Sequence, residues 1–147
     1  MGSRVKYSAA IIESIAKSNL ATIICGLSKR HMNRIYDIFD ETISLNIMLA
    51  QIIVKFNIDD RLEMVHQEAI SILTQSTAPI ILKDFEMLFD PRYNIDVLRL
   101  ITEVSRKRKI IAIWPGVLDK DNLVYADAES PDYQVFNINN YDIICVY

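Results

Sequence analysis

The chain has 147 residues, of which 51% are hydrophobic and 24% are charged, as in a single globular domain. Its net charge of −3 excludes a general electrostatic attraction to nucleic acid or to anionic membranes. No apolar run reaches the ~18 residues of a membrane-spanning helix, and the residues after Met1 form no signal peptide. The sequence therefore predicts a cytoplasmic protein without a membrane partner. Cys25 and Cys145 both lie in apolar runs, which favours buried reduced thiols over a disulfide.

Hydrophobic periodicity predicts helices and strands in alternation. The predicted helices are 5–18, 30–39, 47–56, 61–75 and 94–106, and the predicted strands are 20–25, 43–45, 79–82, 109–114, 133–137 and 142–147. Residues 85–89 are predicted to form a short apolar turn, and residues 119–132 a polar excursion. Alternation of this kind is typical of a three-layer α/β domain. We expect a single domain, residues 1–147, with a mainly parallel sheet flanked by helices.

The residues after strand 20–25 have the layout of a phosphate-binding loop without its usual chemistry. The strand leads to Gly26, a basic segment and a helix, which is the strand–loop–helix frame of a P-loop. Counted from Gly26, the motif positions for glycine, lysine and hydroxyl hold His31, Met32 and Asn33. Backbone N–H groups bind phosphate whatever the side chains are, and the basic residues supply replacement charge. The predicted nucleotide-binding residues are Gly26, Ser28, Lys29, Arg30, His31 and Asn33. The alternative is an ordinary strand–helix turn with a solvated basic tip.

Two acids follow the predicted strand 79–82. In a P-loop site an aspartate at the end of such a strand holds Mg²⁺, and a nearby residue positions the attacking water. Here Lys83 takes the first polar position, so Asp84 serves as a ligand only with a one-residue shift that faces it differently. Asp84 and Glu86 are the candidate catalytic residues. In the alternative interpretation, Asp84 caps the turn at 85–89 and Glu86 is solvated.

The run of four cations Arg106, Lys107, Arg108 and Lys109 follows a predicted helix. One interpretation is a nucleic-acid contact through phosphates. The other is favourable charge at the helix C-terminus followed by a solvated turn. The absence of interleaved aromatic residues favours the second. The two histidines are far apart in sequence and no cysteines are paired with them, so no metal site is predicted.

The segment 81–91, ILKDFEMLFDP, followed by DVLRL at 96–100, resembles BrxF, the small P-loop protein of type 3 BREX bacteriophage-defence systems. The resemblance continues through RKRKIIAIWPG at 106–116, LVYA at 123–126 and PDY at 131–133. It covers the C-terminal half of the chain in sequence and the first half in layout only. Members of that family carry a P-loop with lysine and threonine and an aspartate after the Walker B strand. This chain departs from both motifs, with Met32 and Asn33 in the loop and Lys83 after the strand.

The resemblance implies a P-loop NTPase-like fold with ATP or ADP and magnesium as the family's ligands. The two departures imply a divergent member with degenerate Walker A and B motifs that keeps the fold and the assembly surfaces without normal ATPase chemistry. The first hypothesis is therefore a homo-oligomer, or a protein that docks onto other BREX proteins. Such docking could use a contact surface formed by four tyrosines, Tyr125, Tyr133, Tyr141 and Tyr147. The alternative is that most of these tyrosines pack in the core.

Two other functions stay open at this point. The first is an active ATPase with a rearranged site, in which Lys29 or Lys83 contacts the phosphates and Asp84 with Glu86 handles metal and water. The second is a DNA-binding accessory module that uses residues 106–109.

Overall fold

Short β-branched runs form the strands of this protein, and amphipathic segments form its helices. A computed structural model describes residues 1–147. In chain order the strands are β1 (Ser3–Val5), β2 (Ala21–Ile24), β3 (Glu41–Ser44), β4 (Ile80–Lys83), β5 (Ile110–Ile113), β6 (Val117–Asp119), β7 (Asn122–Tyr125), β8 (Gln134–Asn137) and β9 (Ile143–Val146). The helices are α1 (Ala9–Lys17), α2 (Lys29–Ile38), α3 (Leu45–Ile53), α4 (Ile58–Leu73) and α5 (Val97–Ser105). Single 3₁₀ turns span Glu86–Phe89, Pro91–Tyr93 and Ile138–Asn140.

Six strands form one sheet in the order β1-β9-β2-β5-β4-β3, and every neighbouring pair is parallel. The central strand β2 pairs on one side with β5, where Ile23 lies opposite Ala112, and on the other with β9, where Ile23 lies opposite Cys145. The four residues of β2 are all buried, as a sheet covered on both sides requires. The predicted parallel sheet flanked by helices is confirmed.

The two faces of this sheet carry different helices and cores of different size. Helices α1 and α2 cover one face through a cluster of 8 buried residues, which includes Ile12 and Ile35. Helices α3, α4 and α5 contribute to a cluster of 29 buried residues on the other face, which includes Ile23, Val65 and Ile101. Alternate residues of each strand enter opposite clusters, as the period of a β-strand dictates. We call these the α1–α2 face and the α3–α5 face.

A second, antiparallel sheet of β6, β7 and β8 extends the α3–α5 face. Its aromatic residues pack on residues that follow strands β4 and β5. Tyr125 stacks on Phe89 with ring centroids 3.9 Å apart, and Phe136 meets Trp114 edge-on with centroids 5.8 Å apart. The Trp114 indole Nε1 donates a hydrogen bond to the Val124 carbonyl at 3.0 Å. The sequence prediction of a polar excursion at 119–132 is therefore wrong for β7.

The first predicted helix, 5–18, is wrong at its start. Val5 belongs to strand β1, which pairs with β9, and α1 begins only at Ala9. Ser8 sets that boundary because its side chain accepts a hydrogen bond from the Ile11 backbone N–H, which is an N-cap contact. The other predicted elements are present with boundaries shifted by up to three residues. None of the helices is both long enough and apolar enough to cross a membrane.

Candidate functional site

The carboxyl edge of the main sheet contains a topological switch point between β2 and β5. From β2 the chain continues into α2 on the α1–α2 face, whereas from β5 it continues into β6–β8 on the opposite face. Ligands of open α/β sheets bind in the crevice outside such a point. The residues that follow the two strands meet at this point, where the Trp114 backbone N–H donates to the Ile24 carbonyl at 2.9 Å. The loop singled out from the sequence therefore lies where a ligand of this fold is expected.

The loop between β2 and α2 is much shorter than a P-loop. Only Cys25, Gly26, Leu27 and Ser28 separate Ile24 from the helix that starts at Lys29. A P-loop lysine follows the first glycine of its motif by six positions, whereas Lys29 follows Gly26 by three. Gly26 has φ +62°, and a side chain there would contact nothing within 4 Å, so this conformation rather than lack of space favours glycine. The loop turns from strand to helix within four residues and lacks the length to wrap a phosphate group.

The side chains after Gly26 are divided between several tasks. The Ser28 hydroxyl accepts a hydrogen bond from the His31 backbone N–H at 3.2 Å, which caps α2. The His31 ring stacks on Tyr7 with centroids 3.8 Å apart and planes 17° apart. Three other predicted residues, Lys29, Arg30 and Asn33, line a groove between α1 and α2 on the outer surface. The structure thus brings Lys29, Arg30 and Asn33 together in the outer groove, whereas Ser28 caps α2 and His31 stacks on Tyr7.

The two candidate catalytic acids are bound to the start of α3. The Ser44 hydroxyl donates to the Asp84 carboxylate at 2.6 Å, and the Asn46 backbone N–H donates to the Asp84 carbonyl at 2.7 Å. The Asn46 side-chain amide donates to Glu86 Oε2 at 2.6 Å and accepts from the Met87 backbone N–H at 3.0 Å. Asp84 itself has φ +50°, a left-handed conformation uncommon outside glycine. These bonds join the β3–α3 junction to the segment after β4.

This arrangement corrects the alternative interpretation of the two acids. Asp84 does not cap the turn at 85–89, and Glu86 is partly buried and hydrogen-bonded rather than solvated. Strand β5 lies between β4 and β2, so Asp84 follows a strand about 10 Å from the loop strand. No hydrogen bond or ion pair joins either acid to residues 26–33. Sequence reasoning missed the partners Ser44 and Asn46, although a serine directly before an apolar helical run is a helix-start signal.

Two of the four cations after α5 point into the protein. Arg108 is 3% exposed: its guanidinium contacts Glu41 at 2.6 Å and donates to the carbonyls of Ala78 and Leu73. Lys109 Nζ donates to the Leu20 carbonyl at 2.6 Å and to Thr22 Oγ1 at 3.2 Å. Burial lowers the pKa of Lys109 to about 8.

Only the first two of the four cations predicted to contact nucleic acid therefore lie on the surface. Arg106 and Lys107 are exposed, and the predicted phosphate contact stays a prediction for these two residues. The Arg108 side chain is not on the surface, because it neutralises Glu41 and satisfies backbone carbonyls at the amino edge of the sheet.

The cysteines and tyrosines have mainly packing roles. Cys25 and Cys145 are free buried thiols, and their mutual contact together with burial raises the pKa of Cys25. The Tyr141 hydroxyl donates to Asp96 at 2.8 Å, and burial raises the pKa of that tyrosine to about 12. Tyr125 is stacked on Phe89, whereas Tyr133 and Tyr147 are exposed. Only the last two are placed to form part of a contact surface.

The donor set does not fit a magnesium–nucleotide complex of the P-loop kind. The residue after Lys29 is Arg30 rather than a hydroxyl residue, and strand β4 ends on Lys83 rather than on an aspartate. No group of three or more His, Cys, Asp or Glu side chains is arranged to hold a metal ion. Comparisons with protein-family models, with curated proteins and with solved structures each found no match.

Proposed function

We propose that this protein is a divergent BrxF-like component of a BREX-type antiviral defence system. In this proposal it retains the frame of a P-loop domain, lacks ordinary ATPase chemistry, and acts through assembly with copies of itself or with other BREX proteins. The sequence resemblance over residues 81–133 supports the family. The strand–loop–helix unit at the switch point of a parallel sheet supports the frame.

The observation that carries the loss of ATPase chemistry is the length of the loop after β2. With four residues between Ile24 and Lys29, the chain cannot present the row of backbone N–H groups with which a P-loop surrounds the β- and γ-phosphates. Lys29 is the first residue of α2, and its side chain lines the outer groove. A lysine in that position does not replace one that points into the crevice.

The two acids also support the proposed loss of ATPase chemistry. Asp84 and Glu86 each accept a hydrogen bond on one carboxylate oxygen, from Ser44 and Asn46, and these bonds fix both acids at the β3–α3 junction. Each bond contributes roughly 0.5–1.5 kcal/mol, since Asp84 is exposed and Glu86 is only partly buried. In our proposal Asp84 and Glu86 hold α3 against β4 rather than positioning water for hydrolysis.

Calorimetric titration with ATP and with ADP, in the presence of Mg²⁺, tests the loss of nucleotide chemistry. We expect no binding up to millimolar nucleotide. Micromolar binding that Lys29→Ala removes, and that Lys17→Ala in the same groove leaves intact, would contradict the proposal and favour the rearranged ATPase.

Co-purification tests the assembly role separately. We expect the protein to co-elute with at least one other BREX protein in the absence of nucleotide, and Asp84→Asn to co-elute equally well. Co-elution that requires Mg²⁺ and ATP would count against the proposal, and so would a monomeric protein that co-elutes with none of the other BREX proteins.

A further inference from the structure

A groove of about 1030 Å³ runs between α1 and α2 on the outer surface of the α1–α2 face. On the α1 side the groove is lined by the small residues Ala9 and Ala16, which leave room for a neighbouring backbone. On the α2 side Ile38 adds an exposed apolar side chain. The charged residues around it are four cations and two acids, namely Lys17, Lys29, Arg30, Arg34, Glu13 and Asp37. A basic rim around small apolar residues suits an acidic amphipathic helix.

The size of the groove agrees with a helical occupant. A helix about 10 Å wide that rises 1.5 Å per residue occupies roughly 120 Å³ per residue, so this volume holds about two turns. Nucleic acid is less suitable, because Glu13 and Asp37 stand among the cations and would repel phosphates.

The opposite face of the same protein carries a surface with the complementary character. Helix α4 buries a stripe through Val65 and Ala69, and Ile58 and Leu62 continue this stripe toward the N-terminus at helical spacing. Those two residues are nevertheless exposed, Ile58 by 75%, and the preceding Val54 is 64% exposed. We call Val54, Ile58 and Leu62 the hairpin tip, since they lie where α3 turns into α4.

The hairpin tip is acidic, and side-chain hydrogen bonds close its turn. Asp59, Asp60 and Glu63 flank its apolar residues, against the single free cation Lys55. The other cation, Arg61, closes the turn because its guanidinium donates to the carbonyls of Phe56 at 3.0 Å and Val54 at 3.3 Å. The first two turns of α4 thus present an apolar strip with the carboxylates of Asp59 and Glu63 along one side.

We propose that the hairpin tip of one copy docks into the α1–α2 groove of a second copy. This inference deepens the assembly role proposed above, but it depends only on these two surfaces and needs neither nucleotide nor another BREX protein. The basic rim would meet the acids of the tip, and Ile58 and Leu62 would lie on the alanines. Because groove and tip belong to opposite faces of the sheet, the contact is head-to-tail, and copies stack into an open chain or a ring.

Solution mass as a function of concentration, by light scattering and sedimentation, tests the contact with two double variants. The groove variant is Lys17→Glu with Arg34→Glu, and the tip variant is Ile58→Ser with Leu62→Ser. All four side chains are exposed, and circular dichroism checks that each variant is folded. Val117→Ser, at an exposed apolar residue of β6 away from both surfaces, is the matched control.

We expect the natural protein and the control to gain mass up to roughly 100 µM, the range of a small interface. Each double variant alone should be monomeric, and an equimolar mixture of the two should form a 1:1 dimer that grows no further. That rescue is specific to a head-to-tail contact, because the mixture contains one intact groove and one intact tip. A natural protein that stays monomeric, a variant that keeps its full mass, or a mixture without dimer would each overturn the proposal. Since no nucleotide is present, these outcomes leave the calorimetric test of the proposed function independent.

Discussion

The two faces of the main sheet differ in the number of residues that they bury. The α3–α5 face contains 29 buried residues, which come from the main sheet, three helices, the segment after β4 and the second sheet, whereas the α1–α2 face contains 8. Both faces share the same strands, so the difference comes from the helices and from what lies outside them. Local opening requires least free energy where few apolar contacts hold an element in place. We therefore expect α1 and α2 to exchange their amide hydrogens before α4 and α5.

The face with the smaller core is also the face that carries most of the candidate functional features. The short loop after β2 and the basic groove both belong to the α1–α2 face, and Asp84 and Glu86 are tied to the β3–α3 junction. Binding surfaces are commonly drawn from the less stable part of a protein. If the two faces differ as their cores suggest, a substitution on the α3–α5 face should reduce stability more than a matched substitution on the α1–α2 face.

Two isoleucines of equal burial give the largest and most direct test. Ile101→Ala on α5 and Ile35→Ala on α2 remove the same atoms from fully buried positions on opposite faces. We expect losses in the free energy of unfolding of about 4 kcal/mol and about 2–3 kcal/mol respectively, because the smaller cluster can collapse around the cavity. Urea titrations measure both values. Equal losses would remove the distinction between the faces.

The buried Arg108 should stabilise the α3–α5 face by a smaller amount. Arg108→Met leaves the carbonyls of Leu73 and Ala78 without their donor and leaves Glu41 unpaired, so we expect a loss of about 2–3 kcal/mol. Glu41 is half exposed and remains hydrated, which keeps the loss at that level. Arg106→Met, two residues away and exposed, is the control and should change stability by less than about 0.5 kcal/mol.

Gly26 tests the α1–α2 face at its loop. Gly26→Ala should reduce the free energy of unfolding by about 1–2 kcal/mol, because an L-residue at φ +62° is strained although space is available. Gly26→Asn should lose less, since asparagine tolerates the left-handed region. Thermal unfolding followed by circular dichroism compares the three proteins, and an Asn variant less stable than the Ala variant would contradict the conformational explanation.

Lys109 gives the smallest effect, and it depends on pH. Its pKa of about 8 in the folded protein lies below the ordinary 10.5, so between these values the unfolded chain binds more protons and stability rises with pH. Relative to Lys109→Met, which does not titrate, the natural protein should gain roughly 1 kcal/mol between pH 7.5 and 10, after allowance for its partial exposure. Urea titrations at several pH values measure this difference, and a difference that does not change with pH would refute the assignment.

The sequence predicted the parts of the fold that depend on local pattern. Strands such as Ile80–Lys83 are recognised as short apolar runs, and amphipathic helices such as Val97–Ser105 are recognised by their periodicity. Strand β1 was missed because its three residues, Ser3–Val5, are not an apolar run and pair only with β9 at the other end of the chain. Strand β7 was missed because Leu123 alone is buried among half-exposed neighbours.

The candidate site was predictable in position and not in its contacts. Gly26 after a buried strand located the loop, and the structure puts it at the switch point of the sheet. The bonds of Asp84 to Ser44 and of Arg108 to Glu41 span 40 and 67 residues, so no local pattern reports them. A run of four cations also looks solvated in sequence, whereas Arg108 and Lys109 bind partners that are distant in the sequence, Glu41 and Ala78 for Arg108 and Leu20 and Thr22 for Lys109.

The pairing of β1 with β9 has a mechanical consequence. These two strands come from opposite ends of the sequence and lie parallel, with Tyr147 N–H donating to the Val5 carbonyl at 3.1 Å and Tyr7 N–H to the Tyr147 carbonyl at 2.7 Å. A force that pulls residue 1 away from residue 147 therefore acts along both strands in opposite directions. It loads all of their hydrogen bonds in shear at once, so the protein should resist stretching through its two ends far better than its thin α1–α2 core suggests.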